Sequence, residues 1–192
     1  MKNNTHVFVL SGPSGSGKTT LYQKLFKSGK LRNKLAKSIS VTTRAKRKGE
    51  VDGRDYIFVS KKMFEYKKRT EHFVEWQKVF DYYYGTPKKN VRDILKTGKS
   101  VLLCIDVKGA KVVFKKLKSA VSIFVRPPSA KELQKRLQKR ATDKKKVIDL
   151  RLKIAKQEMK EASNYQHIIV NDNFAKCYSK LEGIILDSLN NK

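Results

Sequence analysis

Cysteine is scarce in this chain: Cys104 and Cys177 are the only two in 192 residues. Two so placed make no disulfide framework and match no metal-ligand spacing. A small disulfide-stapled fold and a zinc module are therefore not expected. Both lie in apolar-patterned segments and read as small buried hydrophobes in a reducing cytoplasm. Long apolar runs are missing too. No stretch approaches the roughly 18 uninterrupted apolar residues of a membrane span, so no membrane association is expected. The stretch His6-Val7-Phe8-Val9-Leu10 is too short for a secretory leader, and cleavage there would destroy the glycine-rich segment that follows. The expected location is cytoplasmic. With no internal repeat and no low-complexity linker, the chain should form one domain carrying at most small inserted lobes.

Acids are also few: 17 Asp and Glu stand against 45 Lys and Arg, a net charge of +28. A nucleic-acid binder concentrates such charge on one face or tail and interleaves aromatics for stacking. Here lysine recurs in almost every segment from Lys2 to Lys192. So diffuse an excess reads as solvated surface with weak, salt-sensitive affinity for polyanions. Neither a specific nucleic-acid site nor an obligate protein partner is indicated.

What is present is the stretch Ser11-Gly12-Pro13-Ser14-Gly15-Ser16-Gly17-Lys18-Thr19-Thr20, which fits G-x-x-x-x-G-K-[ST]. A glycine-rich turn lets successive backbone N–H groups point inward around a phosphate. The helix behind it adds unpaired N–H groups and the positive end of its dipole. Lys18 is placed to reach the β- and γ-phosphates and the Thr19 hydroxyl to sit on Mg²⁺. Context supports the match, because residues 6–10 read as a buried strand and 21–26 as a helix. The expected ligand is a nucleoside triphosphate with its magnesium.

Further on, residues 38–43 read as one strand, 56–59 as another, and Ser60 caps a short helix. Phe73 to Phe80 is strand-like with Glu75 among aromatic neighbours, and Tyr82 to Pro87 closes this strand-rich excursion. A helix over 91–96 leads to Ser100-Val101-Leu102-Leu103-Cys104-Ile105-Asp106, an apolar run ending in one acid, as in a parallel strand buried on both faces. Helix near 112–117, strand 121–125, helix 130–140 with Ser129 and Glu132 as a capping box, helix 147–162, strand 167–172 and helix 174–189 follow. The alternation argues an α/β fold with a mainly parallel, doubly covered sheet. Period-two alternation alone would turn Glu75 outward, and Asp106 at its strand end could simply cap the next helix.

The segment Ser40-Val41-Thr42-Thr43-Arg44-Ala45-Lys46-Arg47-Lys48-Gly49-Glu50 resembles guanylate kinases, the nucleoside-monophosphate kinases that act on GMP. The similarity continues through Asp52-Gly53-Arg54-Asp55-Tyr56, Phe73-Val74-Glu75-Trp76, Tyr83-Tyr84-Gly85-Thr86, Ile105-Asp106-Val107-Lys108-Gly109 and Ile169-Val170-Asn171-Asp172. In family order these blocks cover about residues 5 to 190. The resemblance implies a P-loop NTPase-type sheet with helices on both faces, a small β-rich GMP-binding lobe and a short lid. The implied bounds are a core of 1–37, 87–139 and 152–192, a lobe of 38–86 and a lid of about 140–151. It implies ATP plus GMP (and dGMP) going to ADP plus GDP (dGDP), with Mg²⁺ accompanying ATP. Residues 12–20, from Gly12 to Thr20, would hold ATP, with Asn171 and Asp172 near its adenine.

Ser40, Arg44, Arg47, Glu50, Tyr56, Glu75, Tyr84, Gly85, Thr86 and Asp106 would hold GMP. Arg44 and Arg47 supply forked donors for a phosphate carrying about −1.5 to −2 charge, and Tyr56 and Tyr84 supply hydroxyls. Guanine's adjacent N1–H and N2 amine suit the carboxylates Glu75 and Asp106, and its O6 suits the Ser40 and Thr86 hydroxyls. Adenine lacks that donor pair and would leave the carboxylates unmatched. Lys18, Arg44, Arg136, Arg140 and Arg151 would neutralise charge on the transferring group. Three departures stand out: Ala141 where the family usually has glycine, Lys144-Lys145 where acids are common, and Cys104 where an acid is usual. A second class of reading is a non-catalytic, guanylate-kinase-like interaction module. Lys18 and Thr19, which such modules usually lose, oppose it, and 192 residues leave no room for partner domains.

Overall fold

The computed structural model describes residues 5–138 and 145–190. Its main sheet has five strands, all parallel: β1 (Val7–Ser11), β2 (Leu35–Lys37), β7 (Ser100–Cys104), β8 (Val121–Arg126) and β9 (His167–Val170), in the order β2-β7-β1-β8-β9. β1 lies in the middle, with Val9 opposite Leu103 on one side and Ser122 on the other. Alternate residues of this strand feed different layers. Phe8 and Leu10 pack with Leu21 and Leu25 of α1 (Lys18–Leu25) and with Cys177, Leu181 and Ile185 of α7 (Phe174–Asn190). Val9 packs on the other face, with Val91 of α3 (Lys88–Lys96) and Ala110 and Val113 of α4 (Val107–Lys116). Burial on both faces accounts for the near-continuous apolar sequence of β1, β7 and β8. The α/β class with a doubly covered parallel sheet is thus the one the sequence implied.

A second sheet takes the order β4-β3-β6-β5, from β3 (Val41–Thr42), β4 (Ile57–Phe58), β5 (Phe73–Val79) and β6 (Tyr82–Pro87). α2 (Lys61–Arg69) starts at Ser60, whose hydroxyl accepts from the Met63 N–H at 3.2 Å. Its Phe64 is fully buried, stacked on Phe73 at 4.7 Å and Tyr83 at 5.2 Å. The pairs give this small sheet a core of its own.

Some local readings needed correction. Residues 38–43 are not one strand: only Val41–Thr42 pairs, and Leu35–Lys37, unread as a strand, forms the edge of the main sheet. The gap is where the chain crosses between sheets. There the Asn90 Oδ1 accepts from the Ile39 N–H at 3.0 Å and the Ser38 hydroxyl at 2.8 Å, replacing a ladder partner. Tyr82–Pro87, which closes the strand-rich excursion, does so as a strand antiparallel to β5. Two helices, α5 (Ala130–Gln138) and α6 (Lys145–Lys160), pack together through Leu133, Leu137 and Ala155. Arg140, Ala141 and Lys144 lie outside the described residues, as does the first part of the expected lid, and residues 145–151 belong to α6.

Candidate active site

The phosphate loop joins the end of β1 to α1 at the carboxyl edge of the main sheet, where open α/β sheets place their ligands. Two glycines are obligatory there. Gly12, at φ 140°, lies so close to the Val125 carbonyl that a side chain would collide with it. Gly17, at φ 95°, occupies the N-cap position of α1 and lies against the Asn171 amide. The Asn171 Nδ2 donates to the Ser16 carbonyl at 2.8 Å, and the Asn171 carbonyl accepts from the Arg136 guanidinium at 2.9 Å. Lys18 curls back over the loop, its Nζ donating to the Gly12 carbonyl at 2.5 Å and the Pro13 carbonyl at 2.9 Å.

A cleft of about 270 Å³ opens in front of this loop. Gly12, Ser14, Gly15, Gly17, Lys18 and Thr19 line one side. Pro13 and Ser16 are buried in the loop, and Thr20 is exposed and not part of the lining. Ser40, Tyr56, Glu75 and Tyr84 of the small sheet and its connections line the other side. Cys104, Ile105 and Asp106, at the end of β7, lie between them, and Arg151 and Glu158 of α6 complete the wall.

Glu75 is only 5% exposed. The ladder between β5 and β6 shifts register between Phe73 and Glu75, and that irregularity defeats the simple alternation that pointed it outward. Glu75, Gln77 and Val79 then line the cleft while Phe73 stays in the small core. The Thr86 hydroxyl donates to Glu75 Oε1 at 2.5 Å. Burial, reinforced by Asp106 and opposed by that hydrogen bond, pushes the Glu75 carboxyl up to about 7. Asp106 does cap α4, accepting the Gly109 N–H at 2.6 Å, and it also faces the cleft. Burial raises its carboxyl as well, against the Gly109 and Lys108 N–H groups and the Lys18 charge. Gly109 matters here because a side chain on it would press against Glu75.

Arg44, Glu50, Tyr56 and Tyr84 gather at one corner. Arg44 is buried, and its Nη2 donates to both Glu50 oxygens, at 2.7 and 2.9 Å, while Nη1 donates to the Ala45 carbonyl at 2.6 Å. Its guanidinium lies 5.5 Å from the Tyr56 ring, which meets the Tyr84 ring edge-on at 5.9 Å. Burial would raise the Glu50 carboxyl, but Arg44 and the Arg47 N–H (2.8 Å) outweigh it and hold it below its ordinary range. The Arg47 side chain is exposed. Gly85 is buried against the Phe73 ring, and Asp172 is exposed, its Oδ1 accepting the Asn173 N–H at 2.6 Å. Arg136 donates to Glu132 at 2.9 Å as well as to Asn171, and Arg151 lies 5.4 Å from the Phe80 ring across the cleft mouth.

Glu158 was not anticipated. Burial pushes its carboxyl up to about 7, opposed by the Lys18 and Lys108 charges and assisted by Asp106. The signal was available: Arg151, Ile154 and Glu158 follow i, i+3, i+7 on one helical face, and all three line the cleft. Thr19 offers a hydroxyl on the same wall, while among the described residues no cluster of three His, Cys, Asp or Glu stands ready to hold a metal alone. That donor set fits magnesium, which usually takes most of its ligands from water and substrate phosphates.

Fold and cleft together define a P-loop phosphotransferase of the α/β class. The family model for guanylate kinase matches residues 4–188. The chain is 45% identical over 181 residues to a guanylate kinase of Bartonella henselae, covering 94% of this chain and 80% of the relative. It is 42% identical over 186 residues to one from Rickettsia felis, covering 97% and 95%. The crystal structure of guanylate kinase from Anaplasma phagocytophilum superposes with a TM-score of 0.80 at 34% identity, covering 100% of this chain and 90% of that one. The chain belongs to the guanylate kinase family.

Proposed function

We infer that this enzyme is an ATP:GMP phosphotransferase, forming ADP and GDP, and that dGMP serves as a second acceptor. The observation that carries the assignment is one cleft with a phosphate loop on one wall and, on the other, a buried carboxylate pair beside an arginine–tyrosine corner. The loop N–H groups, Lys18 and Thr19 take the triphosphate, with Asn171 fixing the loop and Asp172 near the adenine. Thr19, together with the nucleotide, would hold magnesium, which when bound would lower the charge on the phosphates. Glu75 and Asp106 accept from guanine N1–H and N2–H₂, and Ser40 serves its O6. Thr86 holds Glu75 in place, because its hydroxyl is committed to that carboxylate. Arg44, Arg47, Glu50, Tyr56 and Tyr84 form the acceptor-phosphate corner.

The reaction is a direct in-line displacement. A GMP phosphate oxygen attacks the γ-phosphorus, the bond to the bridging oxygen of the β-phosphate breaks, and ADP leaves with that electron pair. No general base is needed, because the acceptor phosphate, with its second pKa near 6, is mostly dianionic at pH 7. Lys18, Arg44, Arg136, Arg140 and Arg151 supply positioning and charge neutralisation. The second sheet, whose strands fall between residues 41 and 87, supports a GMP-binding lobe of 38–86 set into a core of 1–37, 87–139 and 152–192. A lid of about 140–151 would close over the phosphates and exclude water. No helix among the described residues is long and apolar enough to cross a membrane, and a cytoplasmic location suits a kinase of free nucleotides.

The test is a coupled ADP-release assay with GMP, dGMP, AMP, CMP and UMP. Turnover confined to GMP and dGMP is expected. No turnover with GMP overturns the reading, and equal turnover with AMP overturns the guanine assignment.

A further inference from the structure

Lys37 ends β2 at the point where the chain leaves the main sheet for the small one. It is half-buried and is not part of the cleft wall. Its Nζ donates to the Tyr22 hydroxyl of α1 at 3.2 Å and to the Asp55 carbonyl at 3.2 Å. The same ammonium lies 4.4 Å from the Tyr22 ring centroid and 5.8 Å from that of Tyr56. One cation therefore touches the core through Tyr22 and the lobe through Asp55 and Tyr56. Burial raises the Tyr22 hydroxyl's pKa, so it stays protonated and still offers a lone pair to the ammonium. Placing a lysine here has a cost, because burial lowers the Lys37 pKa against the opposing pull of Cys104 and Asp55.

We propose that Lys37 is a positioning residue for the acceptor phosphate, fixing Tyr56 against Tyr22 across the junction between core and lobe. The proposal rests on the assignment of Tyr56 to the GMP phosphate. Two cations lie near the Tyr56 ring, Arg44 within the lobe at 5.5 Å and Lys37 from the core at 5.8 Å, and the Tyr84 ring meets it edge-on. Arg44 moves with the lobe and sets nothing relative to the phosphate loop. Lys37 is anchored to α1, the helix that begins with Lys18, and so relates the Tyr56 hydroxyl to the donor side. Misplacing that hydroxyl by an ångström weakens acceptor binding without touching the ATP loop.

The experiment is steady-state kinetics on the full chain, varying GMP at saturating ATP and then ATP at saturating GMP. Lys37→Met is expected to raise KM for GMP by about tenfold, the scale of one charge-assisted hydrogen bond, with KM for ATP within about twofold. Lys37→Arg should recover most of the loss, because a guanidinium can donate to both oxygens and lie on the aromatic face. In a Tyr56→Phe background Lys37→Met should add nothing, since the hydroxyl through which it acts is gone. A purely structural lysine would instead lower the melting temperature and raise both KM values together, with an additive effect in that background. Either that pattern or an unchanged KM for GMP overturns the proposal. If Lys37→Met does not fold, Tyr22→Phe decides: a rise of about threefold in KM for GMP alone is expected, and no change overturns the proposal. Failure of the wild type to turn over GMP overturns the functional reading itself, whereas GMP turnover that ignores Lys37 overturns this inference alone.

Discussion

The Asn171 amide donates to the Ser16 carbonyl at 2.8 Å, so the segment after β9 holds the phosphate loop from behind. Asn171 is 7% exposed and Ser16 is fully buried, which leaves water a poor substitute. Gly17 leaves room for the amide, and Arg136 pins the Asn171 backbone from α5.

Asn171→Ala strands a buried carbonyl and is expected to cost about 1–3 kcal/mol, lowering the melting temperature by several degrees in a protein of this size. KM for ATP should rise more than KM for GMP, because only the donor wall is loosened. Calorimetry and the two substrate titrations check this; an unshifted KM for ATP would show that the loop holds its shape without Asn171.

Lys18→Met is expected to reduce turnover by orders of magnitude with little loss of stability. The ammonium bonds two loop carbonyls at the edge of the cleft, where water can replace it, and the glycine backbone is unchanged. ADP release and a thermal melt are the measurements. Retained activity would remove Lys18 from the chemistry.

Glu75 should give two opposite pH effects. Its folded pKa of about 7 lies above its ordinary 4.5, so its favourable contribution is complete below 4.5 and is lost as pH rises through 7. The ligand-free enzyme should therefore lose stability relative to Glu75→Gln between about pH 5 and 7. Acceptor binding runs the other way, because guanine's donors require the ionised carboxylate, so KM for GMP should fall as pH rises across that window. The second ionisation of GMP near 6 acts on both proteins, and their difference isolates Glu75. Parallel pH profiles for the two would exclude it from guanine recognition.

Arg47→Ala and Arg44→Ala should separate. Arg47 is exposed, so its loss should raise KM for GMP with the melting temperature unchanged. Arg44 is buried against Glu50, and its removal should also destabilise the lobe by leaving that carboxylate without its partner. Equal melting temperatures for the two variants would contradict the pairing seen here.

Most of the architecture was legible in the sequence because its signals are local. The loop motif sits between a buried strand and a helix, and β7 reads as a continuous apolar run ending in Asp106. What was lost depends on distant partners. Leu35–Lys37 is too short to announce itself and becomes a strand only by pairing with Ser100–Leu102. Ser38 and Ile39 look like strand but are claimed by Asn90, about fifty residues away. Glu75 is turned inward by a ladder irregularity that its own neighbours do not encode. Glu158 carried a helical-spacing signal, yet only the packing of α6 beside the cleft gives that spacing meaning. Asp106 satisfied both readings, since one oxygen caps α4 while the residue faces the cleft.

The pairing of Arg44 with Glu50 bears on discrimination among anions. A phosphate arriving at this corner meets a cation whose charge is already balanced by a carboxylate of the same loop, held by two short bonds. Charge by itself therefore gains little, and inorganic phosphate, sulfate or a bare ribose phosphate must compete with an internal rival tethered six residues away. On the proposed assignment, a ligand that also engages the distant carboxylates Glu75 and Asp106 would bring additional binding that a bare anion lacks. In a chain of net charge +28, which attracts anions of every kind, this built-in competitor would give the proposed acceptor corner a threshold that the surface lacks.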